Sequence, residues 1–395
     1  MIKLRQLFRE SERCPPGHLR RRGNIVVLTS LMLVFLLGLV AFAVDLGYIA
    51  RTSGQMKGAS DGAALAAALE LGYGLGPGTN PSQATVSSNA KIAGSAVANA
   101  NPAGDKSSVY LNSSADFRFG RRTFVNNAWT NNWGVQPYNV VEVTANRGRG
   151  NSSAGDSPLP LFFGRAMGKN SVDVQVLSRA ALLPGSGFHF TPNMSVTRAP
   201  ILPITYDEPS WNALLAGTGS DAYSYNTSTG AVSSGSDGIL EIDLYPYGNQ
   251  SLVPGNRGTV KIGVDNNSTA TLSDQIRNGV SAAQLATIGG SIEIPNGGSI
   301  TLGGNPGLSA GIKDDLTAII GQPRAIPIFR AVSGPGNNAS FTIVKFVGIR
   351  ILFVQLTGGQ KRVIAQPAVL TSETVIAGKA SSVSDYVYTK PKLVE

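Results

Sequence analysis

The amino-acid sequence predicts an α+β fold: a long N-terminal transmembrane helix continuing into a small α+β domain, followed by a β-rich C-terminal domain. Three observations carry this prediction. Residues 25–44 form an unbroken apolar run. Residues 45–71 contain no proline and end in an alanine-rich stretch, so the helix runs on past the apolar segment. Beyond residue 117, short alternating segments are separated by Gly, Pro and Asn clusters, the pattern of strands and turns.

The chain has 395 residues, of which 42% are hydrophobic and only 14% charged, so it is long enough for two domains and too apolar for a disordered polyelectrolyte. It divides into a basic cytoplasmic stub (1–23), a transmembrane helix (24–47), a membrane-proximal α+β domain (48–185) and a β-rich exported domain (188–395). The net charge of +9 is concentrated at the start. There Lys3, Arg5, Arg9, Arg13, Arg20, Arg21 and Arg22 face only Glu10 and Glu12. This is a topology signal, and no basic, aromatic-interleaved patch argues for nucleic acid. The single cysteine, Cys14, lies in the stub, so the exported part is built without disulfides.

The apolar run reads IVVLTSLMLVFLLGLVAFAV. At about 1.5 Å per residue it covers roughly 30 Å, the thickness of a bilayer's hydrocarbon core. Its polar residues, Thr29 and Ser30, can return their hydroxyls to the helix backbone. Arg20, Arg21 and Arg22 precede it and place the N-terminus in the cytoplasm of a bacterial inner-membrane protein by the positive-inside rule. Ala41-Phe42-Ala43 also fits a cleavage site. The run is longer than a signal peptide's apolar segment, and no proline follows it, which favours a retained anchor. Asp45 stands at the outer end of the span, either as a boundary residue at interfacial water or as a partner-binding carboxylate.

Past the membrane, Ala50, Gly54, Gly58, Gly62 and Ala66 recur at a spacing of four and form one small-residue stripe. Glycines cost helix stability, about 1 kcal/mol each, and a small-residue face admits close approach of another helix. Asp45 and this stripe are therefore the expected helix-docking residues, against either an assembly partner or the chain's own second helix. Gly72, Gly74, Gly76, Pro77 and Gly78 end the first helix. A second helix is expected over 81–100, with Ser82 as its cap. Strands are expected at 117–119, 139–144 and 172–177, with a short helix opening after Pro160. Leu182 to Gly185 reads as the exit from this domain.

In the C-terminal part, strands are expected at 239–244, 259–264, 291–294, 299–302, 325–330, 341–356 and 362–365. Short helices are expected at 273–278, 281–287 and 311–320. The tail from Ser381 either returns as a strand or stays loose.

Catalytic chemistry finds little support. His18 is in the stub and His189 stands alone, and no His/Cys/carboxylate set has metal-ligand spacing. Gly307-Leu308-Ser309-Ala310-Gly311 matches G-x-S-x-G, but no strand leads directly into it and the exported histidine precedes it. Ser309 reads instead as a helix cap, with Asp314 and Asp315 in the favourable first turn. The Asp265-x-Asn267-x-Thr269 segment begins like a calcium loop but has Ala270 at the glycine position and no closing glutamate. Asp237, Glu241 and Asp243 lie close in sequence, yet nearby carboxylates alone do not make a glycosidase. No catalytic residue, metal site or cofactor is expected.

The stretch from Arg21 to Leu69 resembles the N-terminal region of Tad/Flp pilus-assembly proteins of the TadG-like (TadE/G-like) kind. The matching residues are Arg22-Gly23, Gly38, Ala41-Phe42-Ala43-Val44-Asp45, Gly47, Gln55, and Asp61 with the alanines that follow. A looser match runs through Pro158-Leu159-Pro160-Leu161-Phe162-Phe163-Gly164 and Val172 to Val176. Segments 254–260 and 334–346 resemble C-terminal regions of other such proteins. The D-x-S-x-S metal site of the von Willebrand type A domain, which many of them carry, is absent from the sequence. The resemblance implies a non-enzymatic, membrane-anchored assembly component of a Tad/Flp pilus or secretion apparatus. Its partners would be other pilus-assembly membrane proteins, membrane lipid and further copies of itself. The alternative is a membrane-tethered adhesion or envelope-binding module; an anchored hydrolase is the weakest reading.

Overall fold

A computed structural model describes residues 25–77, 81–150, 154–245, 257–334, 338–379 and 384–395. Arg20, Arg21, Arg22, Cys14 and His18 lie outside these residues, as do Gly78, residues 254–256 and residues 335–337.

The first helix, α1 (Ile25–Leu71), is a single element of 47 residues. At 1.5 Å per residue it is about 70 Å long. Its first twenty residues are exposed, apart from half-buried Ala41. That segment is long and apolar enough to cross a membrane. The Thr29 hydroxyl donates to the Ile25 carbonyl at 2.7 Å and the Ser30 hydroxyl to that of Val27 at 2.9 Å, which removes their polar cost within the apolar run.

From Thr52 onward α1 buries one face. Thr52, Met56, Ala59, Ala63, Ala67 and Leu71 recur at helical spacing and are all but inaccessible. Against this face packs α2 (Gln83–Asn99), whose N-cap Ser82 accepts the Thr85 amide. The cap falls where the sequence placed it. α2 returns antiparallel: a Cβ on Gly74 would meet Val86 at 3.2 Å, and one on Gly62 would meet Val97 at 3.1 Å. The crossing is tightest at Gly94, where a Cβ would lie 2.8 Å from the Phe117 ring and 3.0 Å from the Ala63 carbonyl.

Behind the helices lies an antiparallel sheet of β1 (Phe117–Val125), β2 (Ala128–Trp133), β3 (Val140–Arg147) and β4 (Val174–Ala181). The order is β2-β1-β3-β4, closed on the β4 edge by the final strand, Lys392–Leu393. Lys392 pairs with Ala181 and Leu393 with Ala180. The tail therefore returns as a strand, and to the helix-bearing sheet, after the chain has built everything in between. Val141, Val143, Ala145 and Ala180 face α1 and α2 in one core with Leu159 and Leu182.

The C-terminal part centres on the 17-residue strand Ala339–Gln355. Its first half pairs with Ile300–Pro306, its length with Pro323–Ser333, and its last residues with Arg362–Pro367. Two core clusters flank it, one around Trp211, Leu244 and Ile349, the other around Phe188, Phe341 and Phe346. The α-helices here, among the described residues, are Glu208–Leu215, which the sequence did not suggest, Thr269–Asn278, Ala282–Ala286 and Lys313–Ala318. Thr269–Asn278 starts four residues earlier than the sequence suggested, because Ser268 caps it by accepting the Thr271 amide. The helix expected at 311–320 is shorter, preceded by a 3₁₀ turn at Ala310–Ile312 that Ser309 caps. The segment after Pro160 forms a 3₁₀ turn, Gly164–Met167, not an α-helix.

Candidate functional site

The residues that stand out as a site lie where α1 leaves its apolar segment. Asp45 is the first buried residue of the helix, 6% exposed after twenty exposed or half-buried positions. Its carboxylate accepts three successive backbone amides from a distant hairpin: Phe162 at 2.9 Å, Phe163 at 3.1 Å and Gly164 at 2.6 Å. A carboxylate facing consecutive amides satisfies the orphan donors at the start of the 3₁₀ turn Gly164–Met167. The Tyr48 ring packs one turn above, its centroid 5.0 Å from that of Phe162.

The hairpin itself has short strands, Leu159–Pro160 and Ser171–Val172. Leu159 is fully buried, and both it and Thr52 lie within 3.0 Å of the Cβ position at Gly104. The hairpin thus descends along α1 from the level of Thr52 to that of Asp45, about 10 Å by helix rise. Its tip carries Phe162 (62% exposed), Phe163 (49%) and Met167 (80%), beside exposed Arg165 and Lys169.

Above Asp45, polar residues of α1 pin it to the sheet. Gln55 accepts the Gly104 amide at 3.0 Å. Lys57 spans Asp61 at 2.7 Å, the Leu177 carbonyl at 3.0 Å and the Ser178 hydroxyl at 2.9 Å. Ser60 donates to the Val143 carbonyl at 3.1 Å. Lys57 and Ser60 escaped the sequence reading, because polar residues on a helix give no sign of which carbonyls they will meet.

The small-residue stripe divides in two. Gly62 and Ala66 are half-buried, and Gly62 faces Val97 of α2. Ala50, Gly54 and Gly58 are exposed, and a Cβ at Gly54 or Gly58 would meet nothing within 4 Å.

In the C-terminal part most of the candidate side chains hold neighbouring backbone. Ser309 accepts the Gly311 amide at 3.2 Å as a cap. His189 sits in the strand Gly185–His189 opposite Ser291, its pKa pushed down by burial and by the Lys392 charge. Glu241 accepts the Ala222 amide at 3.0 Å, and burial pushes its pKa up. Asp243 accepts the Tyr245 and Val363 amides, each at 3.0 Å, and Asp237 the Tyr225 amide at 3.1 Å. Asn267 donates to the Thr259 hydroxyl at 3.0 Å, and Thr269 opens a helix instead of completing a calcium loop. Among the described residues no three His, Cys, Asp or Glu side chains group as a metal site.

Residues 23–70 match the sequence model of the Tad family, Flp pilus-assembly TadE/G-like. The match begins just before α1 and ends one residue short of its last, so it contains Asp45, Gln55, Lys57, Ser60 and the small-residue stripe. No curated protein and no solved structure matches the chain.

Proposed function

We propose that this chain, whose first helix carries the TadE/G-like segment, is a non-enzymatic, membrane-anchored structural component of a Tad/Flp-type pilus or secretion apparatus. One observation carries the reading: the family match falls on one uninterrupted helix that is bare and apolar over its first twenty residues and locked to a folded body from Asp45 onward. A helix of this kind transmits position from membrane to exported domain without a flexible joint. In this reading residues 24–47 span the inner membrane once, Arg20, Arg21 and Arg22 hold the N-terminus in the cytoplasm, and the bulk of the chain is exported. Residues 48–185 form the membrane-proximal domain and 188–395 the exported one. The exposed stripe Ala50, Gly54 and Gly58 is the face offered to another pilus-assembly membrane protein or to a second copy, since small residues let helices approach closely.

Deleting the gene tests this. Pili and surface attachment are expected to disappear while neighbouring genes stay expressed and plasmid-borne full-length chain restores both. Normal piliation in the deletion strain overturns the proposal.

A further inference from the structure

We propose that the tip of the hairpin, residues 161–169, is a second membrane contact that inserts into the outer interfacial layer of the same bilayer that α1 crosses. The juxtaposition of Asp45 with the backbone of Phe162 to Gly164 carries it. This inference rests on the reading of α1 as a membrane anchor.

If residues 25–44 fill the hydrocarbon core, Asp45 lies at its outer boundary. The amides of Phe162, Phe163 and Gly164 are bonded to that carboxylate, so the hairpin tip is held at the same depth. The side chains it presents suit the depth. Phe162, Phe163 and Met167 are exposed together on one short turn, with Tyr48 packed against one side of the Phe162 ring. Arg165 and Lys169 flank them and are exposed as well. Aromatic and sulfur-bearing apolar groups enter the acyl boundary, while Arg and Lys reach back to lipid phosphates. The occupant is therefore lipid and not another protein. The patch is tied to Asp45, which directly follows the apolar segment whose last residues, Phe42 and Val44 among them, are themselves exposed, and its cations complement headgroup phosphates. Two attachment points, one spanning and one lying in the interface, restrict the tilt of α1 and its folded body relative to the bilayer. A lone transmembrane helix leaves that tilt freer, and the tilt sets how far Ala50, Gly54 and Gly58 stand from the membrane surface.

The test uses the full chain in vesicles of phosphatidylethanolamine and phosphatidylglycerol. In a C14S background, a nitroxide label is placed by M167C, by A43C within the span, or by S88C on exposed α2. Collisions with dissolved oxygen and with a water-soluble nickel chelate are then compared. The label at position 167 is expected to lose nickel collisions and gain oxygen collisions as the label at 43 does, with the label at 88 showing the reverse. Adding F162S and F163S to M167C leaves the backbone bonds to Asp45 in place and is expected to return the label to nickel. A label at 167 that meets nickel as freely as at 88, while 43 stays protected, overturns the proposal and leaves the anchor standing. Nickel access at 43 overturns both.

Discussion

Replacing Asp45 by alanine is the most informative single change. The carboxylate is 6% exposed and accepts three backbone amides, from Phe162, Phe163 and Gly164. Hydrogen bonds to a charged group are worth about 1.5–3 kcal/mol each, so the three together set a ceiling of roughly 5–9 kcal/mol. The ceiling is not reached, because alanine leaves room for water of the hydrated interfacial layer, so the freed amides regain much of their solvation. A net loss of about 3 kcal/mol in local stability is the expected size, equivalent to a roughly hundredfold rise in hairpin opening. The loss stays local: apart from Asp45, the tip is held by the short strand pair Leu159–Pro160 and Ser171–Val172 and by the Tyr48–Phe162 ring contact, while Val141 and Val143 belong to the core. Hydrogen exchange on the full chain in lipid nanodiscs measures it. Amides 162–164 are expected to exchange about a hundredfold faster in D45A, with Val141 and Val143 unchanged. D45N, which keeps one acceptor oxygen, should fall between. Unchanged protection at 162–164 in D45A refutes the reasoning, since the carboxylate would then not be what holds the hairpin to the helix.

Two further outcomes follow from particular positions. Gly54→Ala with Gly58→Ala adds methyl groups in open space and removes two costly helical glycines, so the thermal midpoint of the purified protein should rise by an amount reflecting up to about 1 kcal/mol per site. The same variant should lose pilus assembly if that face docks a helix, and retained assembly argues against docking there. Tyr388, whose backbone follows the core strand position Val387, has its hydroxyl pKa pushed up to about 12, chiefly by burial and next by the charge of Tyr386. The folded-state value lies above the unfolded one. Its contribution is therefore whole below about pH 10 and is lost as pH rises towards 12. After solvent screening this amounts to about 2 kcal/mol, and urea midpoints measured across that range should fall less steeply in Y388F than in the parent.

Much of the helical half was legible in order and position. The long apolar helix, its continuation to Leu71, the Ser82 cap and the second helix all follow from composition and spacing within a turn or two. Asp45 was legible as a residue of interest, since a carboxylate at the end of an apolar run needs an explanation. Its partners were not legible, because Phe162 lies 117 residues away and offers backbone amides, which every residue has. Ser309 was legible as a cap, whereas the start of Thr269–Asn278 was missed for a related reason: Ser268 is a common residue, and only the fold makes it a cap.

The hydrophobic run, the alanine periodicity and the alternation of strands are local properties, and local physics suffices to read them. The pairing of Lys392–Leu393 with Val174–Ala181 is a different matter. So is the division of the small-residue stripe between α2 and open space, and so is the seating of the 161–169 hairpin against the foot of the helix. Each depends on surfaces brought together across more than thirty residues of intervening chain. Which of the possible pairings wins there is settled by the packing of the whole core, because any one of these contacts is worth only a few kcal/mol against the loop entropy that opposes it.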